Sequence, residues 1–179
     1  DGGSTDGTLE IIEKFKNKID NVISKKDTGI FDAINKGINL SNGDIISIIH
    51  SDDIFFNNDV LNSVHKNFVT KPDLECLIGT TLIKKVNSNL ILRKYNSRFF
   101  KKWMLYFGYS PPHPSTFIKK SVYEKCGIYK LNYEIAGDFE FFLRIFLKFN
   151  ISFKTTDEKF VIMSMGGKST ASIKSNLIS

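Results

Sequence analysis

Short apolar runs alternate along this chain with segments whose apolar residues recur every three or four positions. The clearest run, Asp44-Ile45-Ile46-Ser47-Ile48-Ile49, predicts a buried strand, and Val22-Ile23-Ser24 is a shorter candidate. Between and around them the spacing turns helical. The opening Asp1 to Thr8, DGGSTDGT, is a turn in which Ser4, Thr5 and Asp6 are suited to cap a helix over LEIIEKFKNK, with Leu9, Ile12 and Phe15 on its apolar face. Ile30 to Leu40 places Ile30, Ile34 and Ile38 on one face and Asp32, Asn35 and Asn39 on another. Asp59 to Phe68 turns Val60, Leu61, Val64 and Phe68 inward. Strands alternating with helices predict a parallel sheet.

From Cys76 the pattern changes. CLIGTTLIKKV and NLILRKY flank Asn87-Ser88, which predicts a hairpin and a local antiparallel pair. Arg98 to Phe107, RFFKKWMLYF, sets Phe99, Phe100, Trp103, Met104 and Phe107 on one helical face and Arg98, Lys101 and Lys102 on the other. An aromatic face of this kind is read first as core and second as a membrane-interface surface. Ser110-Pro111-Pro112-His113-Pro114 is a stiff loop, because proline continues neither a helix nor a central strand, and a short strand over Ser115 to Ile118 follows it. Asp138 to Phe149 is a helix with Phe139, Phe142, Leu143, Phe146 and Phe149 inward and Glu140, Arg144 and Lys148 outward at four-residue spacing. Lys159 to Met165 is expected to be an edge strand, followed by Gly166-Gly167-Lys168-Ser169-Thr170.

Composition narrows the class. With 41% hydrophobic and 25% charged residues over 179 positions, the chain fits one globular α/β domain, neither disordered nor fibrous. No apolar run approaches the roughly 18 residues needed to cross a bilayer. Cys76 and Cys126 lack metal-binding or redox spacing and are expected to be buried thiols. The formal charge of +6 is uneven: Lys84 to Lys130 holds eleven Lys or Arg and one acid, Glu124. Such a stretch suits an anionic membrane surface, a phosphorylated acceptor or nucleic acid, or is simply a lysine-rich solvated surface. Since no recognisable RNA or DNA motif accompanies it, nucleic acid is not expected as a partner.

The candidate chemistry sits at strand ends and helix starts. A buried strand running through His50-Ser51 into the bare pair Asp52-Asp53 has no packing reason to end that way. In open α/β sheets ligands bind beyond the carboxyl ends of strands, so the pair is placed to hold a divalent ion and a diphosphate; alone it would equally fit a solvated turn. Asp1 and Asp6 flank a turn where a carboxylate could meet a base N–H or a ribose hydroxyl, with a plain N-cap the simpler role for Asp6. Asp32 and Asn35 could present an acceptor and an amide to one ligand, or be a polar helix face. Asp138, after Ala136-Gly137, is placed to face a cleft and to accept a proton from a hydroxyl, or else to cap its helix. Glu140 is a fallback base whose spacing to Arg144 favours an ion pair. His113 is a candidate ligand or positioning group, while His50 and His65 read as structural.

Taken together, DGGSTDGT (Asp1 to Thr8), DTGIFDAINKGINLSNGDI (Asp27 to Ile45), HSDD (His50 to Asp53), HPSTFIKK (His113 to Lys120) and AGDFEFFLR (Ala136 to Arg144) resemble the family-2 inverting glycosyltransferases of GT-A fold, notably bacterial enzymes of surface-polysaccharide synthesis. The resemblance implies a Rossmann-like three-layer α/β/α sandwich with a mixed, mainly parallel sheet. It also implies a single domain over 1–179, with 1–70 binding the nucleotide sugar and 71–179 carrying the acceptor site and the base. By the same resemblance Asp1 contacts the nucleotide base, Asp32 lies near the nucleoside, Asp52 and Asp53 match the metal and diphosphate motif with Asp53 as the direct ligand, and Asp138 matches the catalytic base. Mn²⁺ or Mg²⁺, a nucleoside-diphosphate sugar expected to be UDP-linked, and a saccharide or polyprenyl-diphosphate-linked acceptor are the implied cofactor and substrates. The expected setting is cytoplasmic, at the inner face of the cell membrane, with a homo-oligomer left open. One departure stands out: the family's opening strand, Pro-x-Tyr-Asn type loop and second strand do not precede Asp1. The resemblance therefore implies an N-terminally truncated domain that binds donor poorly by itself, and a non-catalytic nucleotide-sugar-binding fragment is the alternative.

Overall fold

The computed structural model describes residues 1–164 except 87, 89 and 134. Six strands form one sheet: β1 (Ile45–Ile46), β2 (Ile54–Phe55), β3 (Cys76–Lys84), β4 (Ile91–Tyr95), β5 (Thr116–Lys119) and β6 (Phe153–Ser164). Their order is β1-β5-β3-β6-β2, with β4 also pairing with β3. Five helices accompany them: α1 (Thr8–Lys14), α2 (Ile30–Leu40), α3 (Val60–Thr70), α4 (Lys120–Cys126) and α5 (Gly137–Leu143).

Successive strand residues point to opposite faces, and the burial on β3 and β5 shows what covers each. Cys76, Ile78 and Ile118 join a core with Phe31 and Ile38 of α2, Val122 of α4 and Phe141 and Phe142 of α5. Leu77 and Phe117 face the other way, onto Val60, Val64 and Phe68 of α3 together with Phe160 and Val161. The result is the expected three-layer α/β/α arrangement. Each fully buried Phe or Leu contributes roughly 1.5–3 kcal/mol, so the two faces of β3 carry much of the stability. Gly79 is required within β3: a Cβ there would lie 2.1 Å from the Phe160 ring, at the point where the β3–β6 register shifts.

The sheet is mixed, as expected, yet the balance of pairing is antiparallel. Among the described residues only β3 and β6 run parallel; β1–β5, β2–β6, β3–β4 and β3–β5 are antiparallel. β6 is therefore not an edge strand, since it lies between β3 and β2. Lys159 to Met165 was expected to be an edge, but the long pairing of β6 with β3 buries Phe160 and Val161. Met165 and the Gly166 to Thr170 segment lie outside the described residues. β1 is also shorter than the apolar run implied, because β5 pairs only with Ile45 and Ile46, and no strand forms over Val22-Ile23-Ser24.

Three helices differ in the face they bury. No residue of α1 is buried, so Leu9 and Phe15 stay exposed. α2 turns Phe31, Asn35 and Ile38 inward and leaves Ile30 exposed. α3 buries Asn67 where Leu61 was expected. The helix begun by α5 continues as a π-helical segment, Arg144–Lys148, whose wider turn brings Ile145 inward alongside Phe146. Arg98 to Phe107 does not form a long α-helix; Lys102–Phe107 is a 3-10 segment that buries Leu105.

Candidate active site

The turn after β1 folds back on itself. Asp53 N–H donates to the His50 carbonyl at 3.0 Å, and His50 N–H makes a long bond, 3.4 Å, to Asp53 Oδ2. Asp53 is only 7% exposed, and burial raises its carboxyl pKa against the small opposing effect of the His50 amide. A buried carboxylate with one weak hydrogen bond is poorly satisfied, which suits a group that meets a cation. Asp52 beside it is exposed, and its carbonyl accepts from Ser164 Oγ at 3.3 Å.

His50 leads to His113. Their rings stack with centroids 6.1 Å apart, and His113 Nε2 lies 2.7 Å from the Tyr129 hydroxyl. His113 also packs edge-on against Phe142 at 6.0 Å. Burial pushes the His113 pKa down to about 4; the Asp138 charge opposes that shift and the His50 ring adds to it. His113 therefore stands between the turn holding Asp53 and the start of α5, where Asp138 is the second residue. Asp138 is half-buried, and one of its carboxyl oxygens accepts from Phe139 N–H at 2.9 Å.

Close packing aims Asp138. Ala136 adopts a left-handed conformation, φ 63°, just before the helix. Gly137 lies against the Phe31 ring so closely that a Cβ would be 2.5 Å from it. Phe31 in turn stacks on Tyr129, 5.6 Å between centroids and 14° between planes. Asn35 holds this layer together: its Nδ2 donates to the Tyr129 carbonyl at 2.7 Å and its Oδ1 accepts from Tyr129 N–H at 2.9 Å. Arg144 secures the same loop through the carbonyls of Cys126, Gly127 and Ile128 and through the expected ion pair with Glu140, 3.0 Å. Lys130 also meets Glu140 at 2.8 Å, so Glu140 is committed to two cations.

A second group lies along α2. Lys36 Nζ bridges Asp27 at 2.6 Å and Asp32 at 3.0 Å. Asp32 also accepts from Thr28 N–H, and that bond with the Lys36 ammonium holds its carboxyl below the usual range. Asp1 accepts from Gly3 N–H at 2.9 Å and from the hydroxyls of Ser4 and Ser24 at 2.5 and 2.6 Å. Asp1, Asp27 and Lys36 line a cleft of about 710 Å³ that runs beside β1 past Ile45, Ile46 and Ser47. Asp6 accepts from Thr8 N–H at 3.2 Å and organises the turn into α1.

The candidate residues thus divide. Asp53 and His113 meet through His50, and His113 reaches α5, whose second residue is Asp138, through Phe142, whereas Asp1 lines the cleft and Asp32 joins it through Lys36. Asn35 presents no free amide, since both its polar atoms are used by the Tyr129 backbone. Tyr129 and Lys36 were not singled out from the sequence. Nothing local marks Tyr129, while Lys36 stands four residues after Asp32, a spacing that foretells an ion pair. Among the described residues no three His, Cys, Asp or Glu side chains are grouped to hold a metal ion. Mg²⁺-type sites often use only one or two carboxylates and take their remaining ligands from substrate phosphates and water, so the buried, poorly satisfied Asp53 fits that role.

The fold has counterparts among known proteins. The family model for glycosyl transferase family 2 matches residues 1–133. A PGL/p-HBAD biosynthesis glycosyltransferase of Mycobacterium bovis is 30% identical over 152 residues, covering 82% of this chain and 56% of that protein. Chondroitin synthase of Pasteurella multocida is 28% identical over 145 residues, covering 80% of the chain and 15% of that protein. The chain spans about half the length of the mycobacterial relative. Among solved structures, S. aureus TarS 1-349 in complex with UDP-GlcNAc superposes with a TM-score of 0.71 at 19% identity, covering 96% of this chain and 50% of that one. The mannosyltransferase PcManGT from Pyrobaculum calidifontis, in complex with GDP-Man and Mn²⁺, gives 0.64 at 12% identity, covering 97% and 49%. The fold is that of GT-A glycosyltransferases, and the chain belongs to glycosyl transferase family 2.

Proposed function

We propose that this chain transfers a sugar from a nucleoside-diphosphate sugar, expected to be UDP-linked, to a hydroxyl of a glycan or lipid-linked acceptor with inversion at the anomeric carbon. The observation that carries the proposal is the position of His113, whose ring stacks on His50 of the Asp52-Asp53 turn and packs against Phe142 of α5, the helix whose second residue is Asp138. In this reading residues 1–70 bind the donor, through Asp1 and Asp32 on the cleft side and Asp52 and Asp53 at the diphosphate. Residues 71–179 supply Asp138 and the acceptor side. Asp138 takes the proton of the attacking hydroxyl as the acceptor oxygen bonds to the anomeric carbon and the bond to the diphosphate breaks. His113, neutral at pH 7 because of burial, adds no positive charge beside Asp138 and leaves its carboxylate free to accept that proton. Asp53, with Asp52 adjacent, would hold Mn²⁺ or Mg²⁺, which when bound offsets the charge of the leaving diphosphate. The PcManGT complex, which contains Mn²⁺, supports divalent-metal use in this fold.

The setting proposed is the cytoplasmic side of a membrane in polysaccharide or glycolipid synthesis. No helix among the described residues is long and apolar enough to cross a membrane. A screen of nucleoside-diphosphate sugars with the full-length protein, read as released nucleoside diphosphate with and without Mn²⁺ or Mg²⁺, tests the proposal. Metal-dependent release that falls in Asp53→Asn supports it. Nucleotide-sugar binding with no release under any condition would favour a binding module instead.

A further inference from the structure

Arg98 to Phe107 carries four large aromatic side chains that no element among the described residues covers. Phe99 is 74% exposed, Trp103 59%, Tyr106 74% and Phe107 81%. In the 3-10 segment three residues make a turn, so Trp103 and Tyr106 share one outward face while Leu105 points into the core, and Phe100 is buried just before it. The segment is held firmly from beneath. Phe100 packs against Phe146 at 5.5 Å and Phe153 at 5.6 Å, and Lys102 Nζ donates to Asn150 Oδ1 at 2.6 Å and to the Ile151 carbonyl at 2.9 Å. The outward rings are organised too, with Trp103 edge-on to Phe107 at 5.9 Å.

We infer that this aromatic surface docks on an anionic phospholipid bilayer, inserting Phe99, Trp103, Tyr106 and Phe107 at the level of the headgroups. Ring type and charge both point there. Trp and Tyr pair an apolar body with a polar tip and favour the interface, while the fully apolar Phe99 and Phe107 gain from deeper burial. Lys101 is exposed and has no carboxylate within ion-pair distance among the described residues. Of the ten other cations between Lys84 and Lys130, Arg98, Lys125 and Lys130 pair with Asp157, Glu75 and Glu140, which leaves seven without a carboxylate partner among the described residues. The basic hairpin of β3 and β4 adjoins the segment, because the Tyr95 hydroxyl donates to the Ser110 carbonyl and its ring meets Tyr109 at 5.8 Å. Each Lys or Arg near an anionic leaflet strengthens binding about fivefold. A second copy of the chain is a poorer occupant, since pairing this surface with itself would oppose like charges. The inference does not rest on sugar transfer, because none of these residues belongs to the Asp53, His113 and Asp138 group.

Trp103 is the sole tryptophan of the chain, so its emission reports directly on docking. Titration with phosphatidylglycerol-containing vesicles at low salt is expected to shift the emission to the blue. Partitioning should be roughly tenfold or more stronger than onto phosphatidylcholine alone, the effect of one or two interfacial cations. Phe99→Ser/Phe107→Ser, which alters only exposed side chains and keeps the reporter, should lose at least that factor while retaining the wild-type circular dichroism. Lys101→Glu, a second variant that leaves the rings intact, should weaken binding to anionic vesicles alone. An unchanged Trp103 emission with anionic vesicles would overturn the inference. So would equal partition onto the two lipids, undiminished binding of both variants, or concentration-dependent dimers that bury Trp103 without lipid.

Discussion

Replacing Asn35 by alanine separates a structural bridge from a ligand contact. In the fold the Asn35 amide spans from α2 to Tyr129, 94 residues away, with bonds of 2.7 and 2.9 Å, and Asn35 is 7% exposed. Asn35→Ala would leave the Tyr129 carbonyl and N–H both buried and unpaired. Each orphaned group costs about 1–3 kcal/mol, so the variant is expected to lose roughly 2–6 kcal/mol. For a domain of this size that corresponds to a fall in Tm of roughly 4–24 °C, measurable by circular dichroism melts or urea titration. The Phe31, Tyr129 and Gly137 layer should loosen with it, so activity and stability decline together. A variant that lost donor binding yet melted within about 0.5 kcal/mol of wild type, the range of ordinary surface changes, would refute the bridging role and assign Asn35 to substrate.

Two further outcomes follow from the same layer. Gly137→Ala puts a methyl 2.5 Å from the Phe31 ring, and overpacking of this kind costs about 1–3 kcal/mol; thermal melts should show that loss, and Phe31→Leu should recover part of it by making room. His113 ties stability to pH: its folded-state pKa is depressed to about 4, so its contribution is complete above the unfolded value near 6.5 and is lost as pH falls from there towards 4. Urea midpoints measured across that window should reveal a decline on the order of 3 kcal/mol, and His113→Gln should flatten it; a wild-type profile as flat as the variant's would show that His113 protonates freely.

Local pattern made some of this legible and tertiary partnership hid the rest. The spans of α2 and α3, the β3–β4 hairpin and the Glu140–Arg144 pair were readable because each depends on residues within a few positions of one another. The inward face of α2 was not, because Asn35 turns in to meet backbone groups that arrive from a distant loop. β6 looked like an edge because strand order cannot be read from composition, and the parallel balance was overestimated for the same reason. The aromatic stretch at 98–107 read as core because its residue types fit a core; its exposure became visible only in the fold, where no element among the described residues covers it. In the site, the acidic groups were visible as strand-end and helix-start residues. The joining role of His113 and Tyr129 depends on contacts between separate loops that no spacing records.

Asp138→Asn in the full-length protein, compared with wild type for nucleoside diphosphate release in the presence of donor, acceptor and Mn²⁺, tests the account most directly. If Asp138 is the proposed base, turnover should fall by roughly 10²–10⁴-fold while nucleotide affinity, proposed to depend on the cleft side and Asp53, stays close to wild type. Near-normal turnover in Asp138→Asn would contradict the assignment of proton abstraction to the start of α5.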